Sequence, residues 1–339
     1  MKSKYLRYFF SILFTTGMVA AAALADNKEI IFPEVLALLL GAWVAVSMPW
    51  RVNRIQFIVI MPLVAVSGVV LVRYLRLPSM DPIGPETVWM RMIAAYLVVA
   101  VLLLVSRSTL LPAVSAGILP VLMGTETWIY PLSVAIMAVL IMAGQLVMER
   151  FHIWGAAAAD AVKPQADGIR EKTPEPVYDH TRLCLQWLGG LPFMMILSGA
   201  ALFSGFRFFA APPLVVALVT FTMKNSPSGK QAVKSWFMLF GCSVIGAGCR
   251  WLLCEQMDLS FIVCAFAATA LVLLFVDFSG IVFPPAGALA ILPILIPESM
   301  LPTYPLQIAA GAAFCVIAGK LVSVLIDRIR KPAADTGQE

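Results

Sequence analysis

The sequence predicts an all-α, polytopic integral membrane protein. It reads as two tandem repeats of about six transmembrane segments each, with the fifth segment of each short and broken by proline. Three observations predict this. The 339 residues are 61% hydrophobic and only 13% charged, whereas a soluble domain averages about a quarter charged and under half apolar. Lysine and arginine sit at the ends of apolar runs, as membrane topology requires. The chain also repeats itself.

The repeat is clearest where SAGILPVLMGTETWIYPLSVAIMAVLIMAGQLV (115–147) is laid on ALAILPILIPESMLPTYPLQIAAGAAFCVIAGKLV (288–322). The pieces ILP, YPL and AG-x-LV recur in order, at offsets of 173, 174 and 175. Upstream, PWRVNRIQFIVIMPLVAVSGVVLVRYL (49–75) lies on PSGKQAVKSWFMLFGCSVIGAGCRWL (227–252). These segments share a proline, basic residues, a glycine and a terminal arginine. The division is 1–148 for the first repeat, 149–182 for a hydrophilic linker, 183–326 for the second repeat and 327–339 for a solvated tail.

The first copy has apolar runs at about 8–25, 33–49, 55–75, 88–106, 109–124 and 129–148. The second has them at about 183–203, 208–223, 235–253, 259–276, 283–297 and 303–326. A full span needs about 20 residues, and the fifth run of each copy falls at or below that. The start has a basic region, an apolar run and Ala23-Leu24-Ala25, which also fits a cleaved signal. Because the second repeat has an equivalent first helix, retention is expected.

Lys2, Lys4 and Arg7, then Arg51 and Arg54, then Lys224, Lys230 and Lys234, then Arg328, Arg330 and Lys331 all fall on one side if each copy crosses six times. That side is cytoplasmic by the positive-inside rule, so both termini are cytoplasmic and the membrane is the plasma (inner) membrane. If only the fifth run is re-entrant, each copy crosses five times and the repeats invert.

Residues 283–297, FPPAGALAILPILIP, carry Pro284, Pro285, Pro293 and Pro297 in a segment greasy enough for lipid. Proline removes a backbone donor, and in a bilayer the freed groups must find partners in the protein or a wet cavity. The segment therefore belongs inside. Its mate, LLPAVSAGILPVLMG (110–124), keeps Pro112, Ser115, Gly117 and Pro120. Two broken segments at matching places point to a solute site. The expected solute-binding residues are Pro284, Pro285, Gly287, Pro112, Ser115 and Gly117. The alternative is a kinked packing helix with no ligand.

The order of motifs resembles the HPP family of small membrane proteins, named for a His-Pro-Pro motif followed by Ala-Gly-Ala. Here Phe283-Pro284-Pro285-Ala286-Gly287-Ala288 stands in that place, and Ser226-Pro227 matches the family's earlier Ser-Pro motif. The first copy is a degenerate version, with Met48-Pro49 and Leu111-Pro112. The match is strong over 212–322. The motif's histidine is Phe283, so a role resting on that imidazole does not carry over. The resemblance implies passage of a small anion such as nitrite.

An anion could also use Asn225, Ser226 and Lys230, where Lys224, Lys230 and Lys234 flank a Ser/Gly stretch before a helix start. The competing reading is a positive-inside anchor loop. The piece PSGK lacks the spacing of a phosphate loop. Lys320, the mate of Gln145, lies six residues from the end of the last run and can snorkel to the cytoplasmic face. Arg91, Arg107, Arg250 and Asp277 fall near run ends, and Arg73 and Arg250 are repeat mates. No charge pair stands at mid-membrane, so a proton-driven carboxylate relay is not expected.

Neither His152 nor His180 lies in an apolar run, and H-E-x-x-H and G-x-S-x-G are missing. No enzyme, cofactor or metal site is expected. The six cysteines contain no C-x-x-C pair and read as small apolar residues. Partners are the lipid bilayer and a small solute or anion, with no nucleic acid; a homo-oligomer is left open. The favoured function is a small-solute transporter or channel. The alternative is a non-transporting assembly or partner-binding subunit, acting through the linker.

Overall fold

The computed structural model describes residues 2–45, 49–75, 81, 83–151, 153, 179–223 and 231–330. Among these residues there are helices and no strands. Eight helices are long and apolar enough to cross a membrane. They are α1 (Lys2–Leu24), α3 (Arg54–Tyr74), α4 (Pro85–Val105), α6 (Ile129–Arg150), α7 (His180–Phe203), α9 (Ala232–Cys249, continued by a π-helical turn Arg250–Gln256), α10 (Phe261–Ser279) and α12 (Tyr304–Arg330). Four are short: α2 (Glu34–Leu39, continued by a π turn Leu40–Val44), α5 (Pro112–Met123), α8 (Pro212–Thr222) and α11 (Pro284–Ile291, continued by a 3₁₀ turn Leu292–Leu295).

Local chemistry sets many of the boundaries. Asn53 and Gln56 form a reciprocal capping box at the start of α3, satisfying donors that lipid would leave bare. Asp179 accepts from the Arg182 amide at the start of α7. Prolines open α4, α5, α8 and α11, where their missing N–H has no intrahelical acceptor to lose. Gly124 and Gly280, at φ of 69° and 67°, close α5 and α10.

The sequence led us to expect one short segment per repeat, the fifth. Among the described residues there are four short helices, α2 and α8 in addition to α5 and α11. Runs 33–49 and 208–223 are apolar for the length of a span, but apolarity marks burial and not helix. Pro33 and Pro212 start α2 and α8, and the other described residues of each apolar run lie in a π turn, a 3₁₀ turn or irregular chain. A 12-residue helix is about 18 Å long, against about 30 Å of hydrocarbon.

The chain nonetheless passes from one end of the body to the other across α2 and across α5. At one end of the body, Lys4 pairs with Asp277 and Arg54 with Glu149. Arg182 pairs with Asp327 at 3.3 Å. The Arg51 amide donates to the Thr109 hydroxyl at 2.7 Å, and the Thr109 amide donates to the Arg51 carbonyl at 3.1 Å. These contacts gather the starts of α1, α3 and α7 with the ends of α4, α6, α10 and α12. At the other end, the Ser133 hydroxyl donates to the Ile30 carbonyl at 2.7 Å, and Thr127 bonds Glu29. The chain before α2 is therefore at one end and Arg51 after it at the other. Thr109 before α5 and Thr127 after it are likewise at opposite ends.

Long helices turn large apolar side chains outward, among them Phe9, Val59, Val101, Ile136, Phe266 and Ile317. The short helices do the reverse. Every residue of α11 is buried, as is every residue of α2 and of 112–122 in α5. Backbone at membrane depth is tolerated where protein covers it.

Candidate functional site

The four short helices form a closed ring at the centre of the body. α2 packs on α11, α11 on α8, α8 on α5, and α5 on α2. The first and fourth helices of each half pack across to the other half, α1 on α10 and α4 on α7. α11 approaches α2 closely at Gly287. A Cβ there would stand 2.7 Å from Leu40 Cδ1 and 3.2 Å from the Ala37 amide nitrogen. A larger residue there would make Leu40 and α2 give way, as at other close helix approaches in membranes.

The four prolines of 283–297 now have separate reasons. Pro284 and Pro285 occupy the first positions of α11. Pro293 lacks the N–H that the Leu289 carbonyl would have accepted four residues earlier. The Tyr304 hydroxyl supplies the donor instead, at 2.8 Å. Pro297 precedes the 3₁₀ turn Glu298–Met300, and the Ile296 amide donates to the Pro293 carbonyl at 3.3 Å. The Arg250 guanidinium reaches that carbonyl, together with the carbonyls of Ile294 at 3.2 Å and Ile296 at 2.8 Å. Arg250 also pairs with Glu255. Replacing Arg250 with methionine should cost about 2–4 kcal/mol, because buried bonds to a charged donor are lost and carbonyls are left bare. The check is the melting temperature in detergent, with Arg250→Lys expected to fall between.

The same device recurs in the first half. Pro120 frees the Ala116 carbonyl, and the Tyr130 hydroxyl donates to it at 3.0 Å. Other contacts recur at matching positions. A Cβ on Gly68 of α3 would lie 2.3 Å from the Gly117 carbonyl oxygen. One on Gly246 of α9 would lie 2.3 Å from that of Ala290. The glycines of the two AG-x-LV pieces admit the ends of the second helices: a Cβ on Gly144 would meet the Trp43 ring at 2.4 Å, and one on Gly319 would meet Phe221 Cβ at 2.4 Å. Near the start of α1, Arg7 donates to the carbonyls of Trp43 and Val44 at 3.1 and 3.2 Å. Near the start of α7, Gln186 donates to the Thr222 carbonyl at 3.2 Å.

Of the residues expected to bind solute, Pro112, Ser115, Gly117, Pro284, Pro285 and Gly287 are all buried within the ring's short helices. The carbonyls freed by Pro120 and Pro293 are those of Ala116 and Leu289, and each is paired inside the protein. Lys320 is exposed on α12, while its mate Gln145 is buried and donates to Glu149 at 3.1 Å. Asn225, Ser226 and Lys230, with Lys224, lie outside the described residues, as does most of the linker 149–182. Phe283, at the place of the motif histidine, is fully buried against Phe221, with ring centroids 5.7 Å apart.

One residue escaped the sequence reading. Glu34 sits at the start of α2, 1% exposed, and is the only buried carboxyl among the described residues. The Ser115 hydroxyl of α5 bonds its Oε1, while Oε2 is buried without a partner. In the sequence it stands at the edge of an apolar run, where an interfacial position is the default. Arg91 and Arg250, expected at interfaces, are buried too; Arg91 donates to the Leu75 carbonyl at 3.0 Å.

Compared with family models, curated proteins and solved structures, the chain matches none.

Proposed function

We propose that this protein is a membrane transporter for a small solute, and that the ring of α2, α5, α8 and α11 is its gate. The observation that carries the reading is the ring itself. Four half-length helices are buried at the centre of a bundle whose outer helices face lipid. Such helices are costly in a bilayer unless protein or a water-filled path covers them, and in transporters they mark the solute site. In the conformation described the ring is packed shut, at Gly287 against α2 and at Phe221 against Phe283.

The chain is further proposed to be two tandem units of six crossings each. The paired contacts of Tyr130 and Tyr304, Gly68 and Gly246, and Arg7 and Gln186 support this. With six crossings, Lys4, Arg7, Arg51, Arg54 and Arg182 share one side, which the positive-inside rule makes cytoplasmic. The plasma (inner) membrane of a cell is the proposed location. The HPP resemblance points to a small anion, with nitrite the first to try.

The test is uptake into proteoliposomes that contain the purified, folded protein, with nitrite leading a panel of small anions. Saturable uptake above that of empty liposomes is expected. Folded protein that passes no anion in the panel sinks the anion reading and favours an assembly role.

A further inference from the structure

We propose that the Glu34 carboxyl is a reversible proton-binding site inside the ring, loaded and unloaded when the ring opens. The inference rests in part on the transport reading, since a gate gives the site its access, but the site itself stands on separate geometry. Glu34 is 1% exposed and, among the described residues, takes one side-chain hydrogen bond, from the neutral hydroxyl of Ser115. Its second oxygen is walled off from solvent and unpartnered. An ionised carboxylate so placed is expensive unless a proton or a cation accompanies it. An ionisable group buried inside a membrane protein with no partner for its charge marks a candidate functional site.

Among the described residues, the surroundings contain no counter-charge. From α6, Tyr130 approaches, but its hydroxyl is committed to the Ala116 carbonyl, and its ring packs on Phe32 at 6.1 Å between centroids. From α5 comes Ser115 alone. The residues of α11 that pack on α2 include no ionisable side chain. On α1, Arg7 is bound at the far end of α2, to Trp43 and Val44. Before α2, Lys28 lies over the Phe261 ring and Glu29 bonds Thr127. A proton is therefore the simplest companion: the smallest cation, needing only the bare Oε2 and no further oxygen ligands.

The site is confined to one half. Aligning Pro33 with Pro212 places Pro213 at the position of Glu34, and the ILP register places Ala288 at that of Ser115. Neither can hold a proton, so the two halves, alike in packing, are unlike in chemistry. On ring opening the O–H bond at Oε2 breaks and the proton passes to water at the open face; reprotonation from the other face completes the step.

The experiment is infrared difference spectroscopy of the purified protein in lipid, across a pH series. Native protein should show a protonated-carboxyl C=O stretch that disappears as pH rises. Glu34→Gln should lack that change. Ser115→Ala should keep it with a shifted frequency, because the carboxyl loses its hydrogen bond. Native and Glu34→Gln spectra that superpose at every pH would overturn the proposal, whatever the flux assay gives. A change triggered by sodium but not by pH would overturn it in favour of a metal-cation site. Separately, failure of anion uptake with an intact Glu34 signal would sink the anion reading alone.

Discussion

A single methyl group on Gly68 or on Gly246 is expected to be among the most destabilising alanine substitutions of a helical glycine, alongside Gly311, whose Cβ would stand 2.3 Å from the Phe209 carbonyl oxygen. The added carbon would stand 2.3 Å from a backbone carbonyl oxygen, of Gly117 in one case and of Ala290 in the other. A flexible side chain could swing aside. A carbonyl in a short helix cannot move without displacing the whole ring. Overpacking of a rigid core costs about 1–3 kcal/mol and sometimes more, and these sites belong at the upper end. The matching controls are Gly17→Ala and Gly248→Ala, exposed helical positions where nothing lies within 4 Å of the new carbon. There the intrinsic preference of helices for alanine, about 1 kcal/mol, should leave stability equal or higher. Thermal unfolding in detergent reads all four. Equal melting temperatures across the set would mean that α3 and α9 do not sit against α5 and α11 as described.

The second large effect concerns the tyrosines. Tyr304→Phe removes the only side-chain donor that reaches the Leu289 carbonyl among the described residues, and Tyr130→Phe does the same at Ala116. Each change should cost about 1–3 kcal/mol, the range for a buried polar group left unpaired. The cause is specific: the carbonyl is bare because Pro293, or Pro120, has no N–H. In a Pro293→Ala background the new amide can take up the Leu289 carbonyl, and Tyr304→Phe should then cost under about 1 kcal/mol. A double-mutant cycle measures this coupling directly. If Tyr304→Phe costs as much in the Pro293→Ala background as in the native chain, the tyrosine stabilises by packing and the proline argument is wrong. The same cycle on Pro120 and Tyr130 gives an internal replicate in the other half.

That coupling also shows how sequence and structure divide the account. ILP and YPL were visible as recurring pieces, but only as spelling. The structure shows that the proline of one creates the vacancy that the tyrosine of the other fills. The glycine shared by the third helices and the glycine of AG-x-LV were visible too. Each proves to be where a short helix touches a long one.

The sequence by itself determined the solvent and the local grammar. Composition demanded lipid, charge placement suggested one basic face, and the twelve apolar runs correspond to the twelve α-helices among the described residues. Prolines marked where backbone bonds would break. These are properties of neighbouring residues, and neighbours are what a sequence lists. The tertiary structure decided the rest. That α2 and α8 are short could not be read from apolar runs of full length, because burial in a ring and exposure to lipid select the same side chains. Glu34 escaped notice in the sequence, and Arg250 looked like the end of a span. Their burial depends on Ser115 and on the carbonyls of 293–296, groups 81 and more than 40 residues away in the chain. Whether a charge meets water, lipid or a partner is fixed by what packs across that distance, and only the folded chain brings the two together.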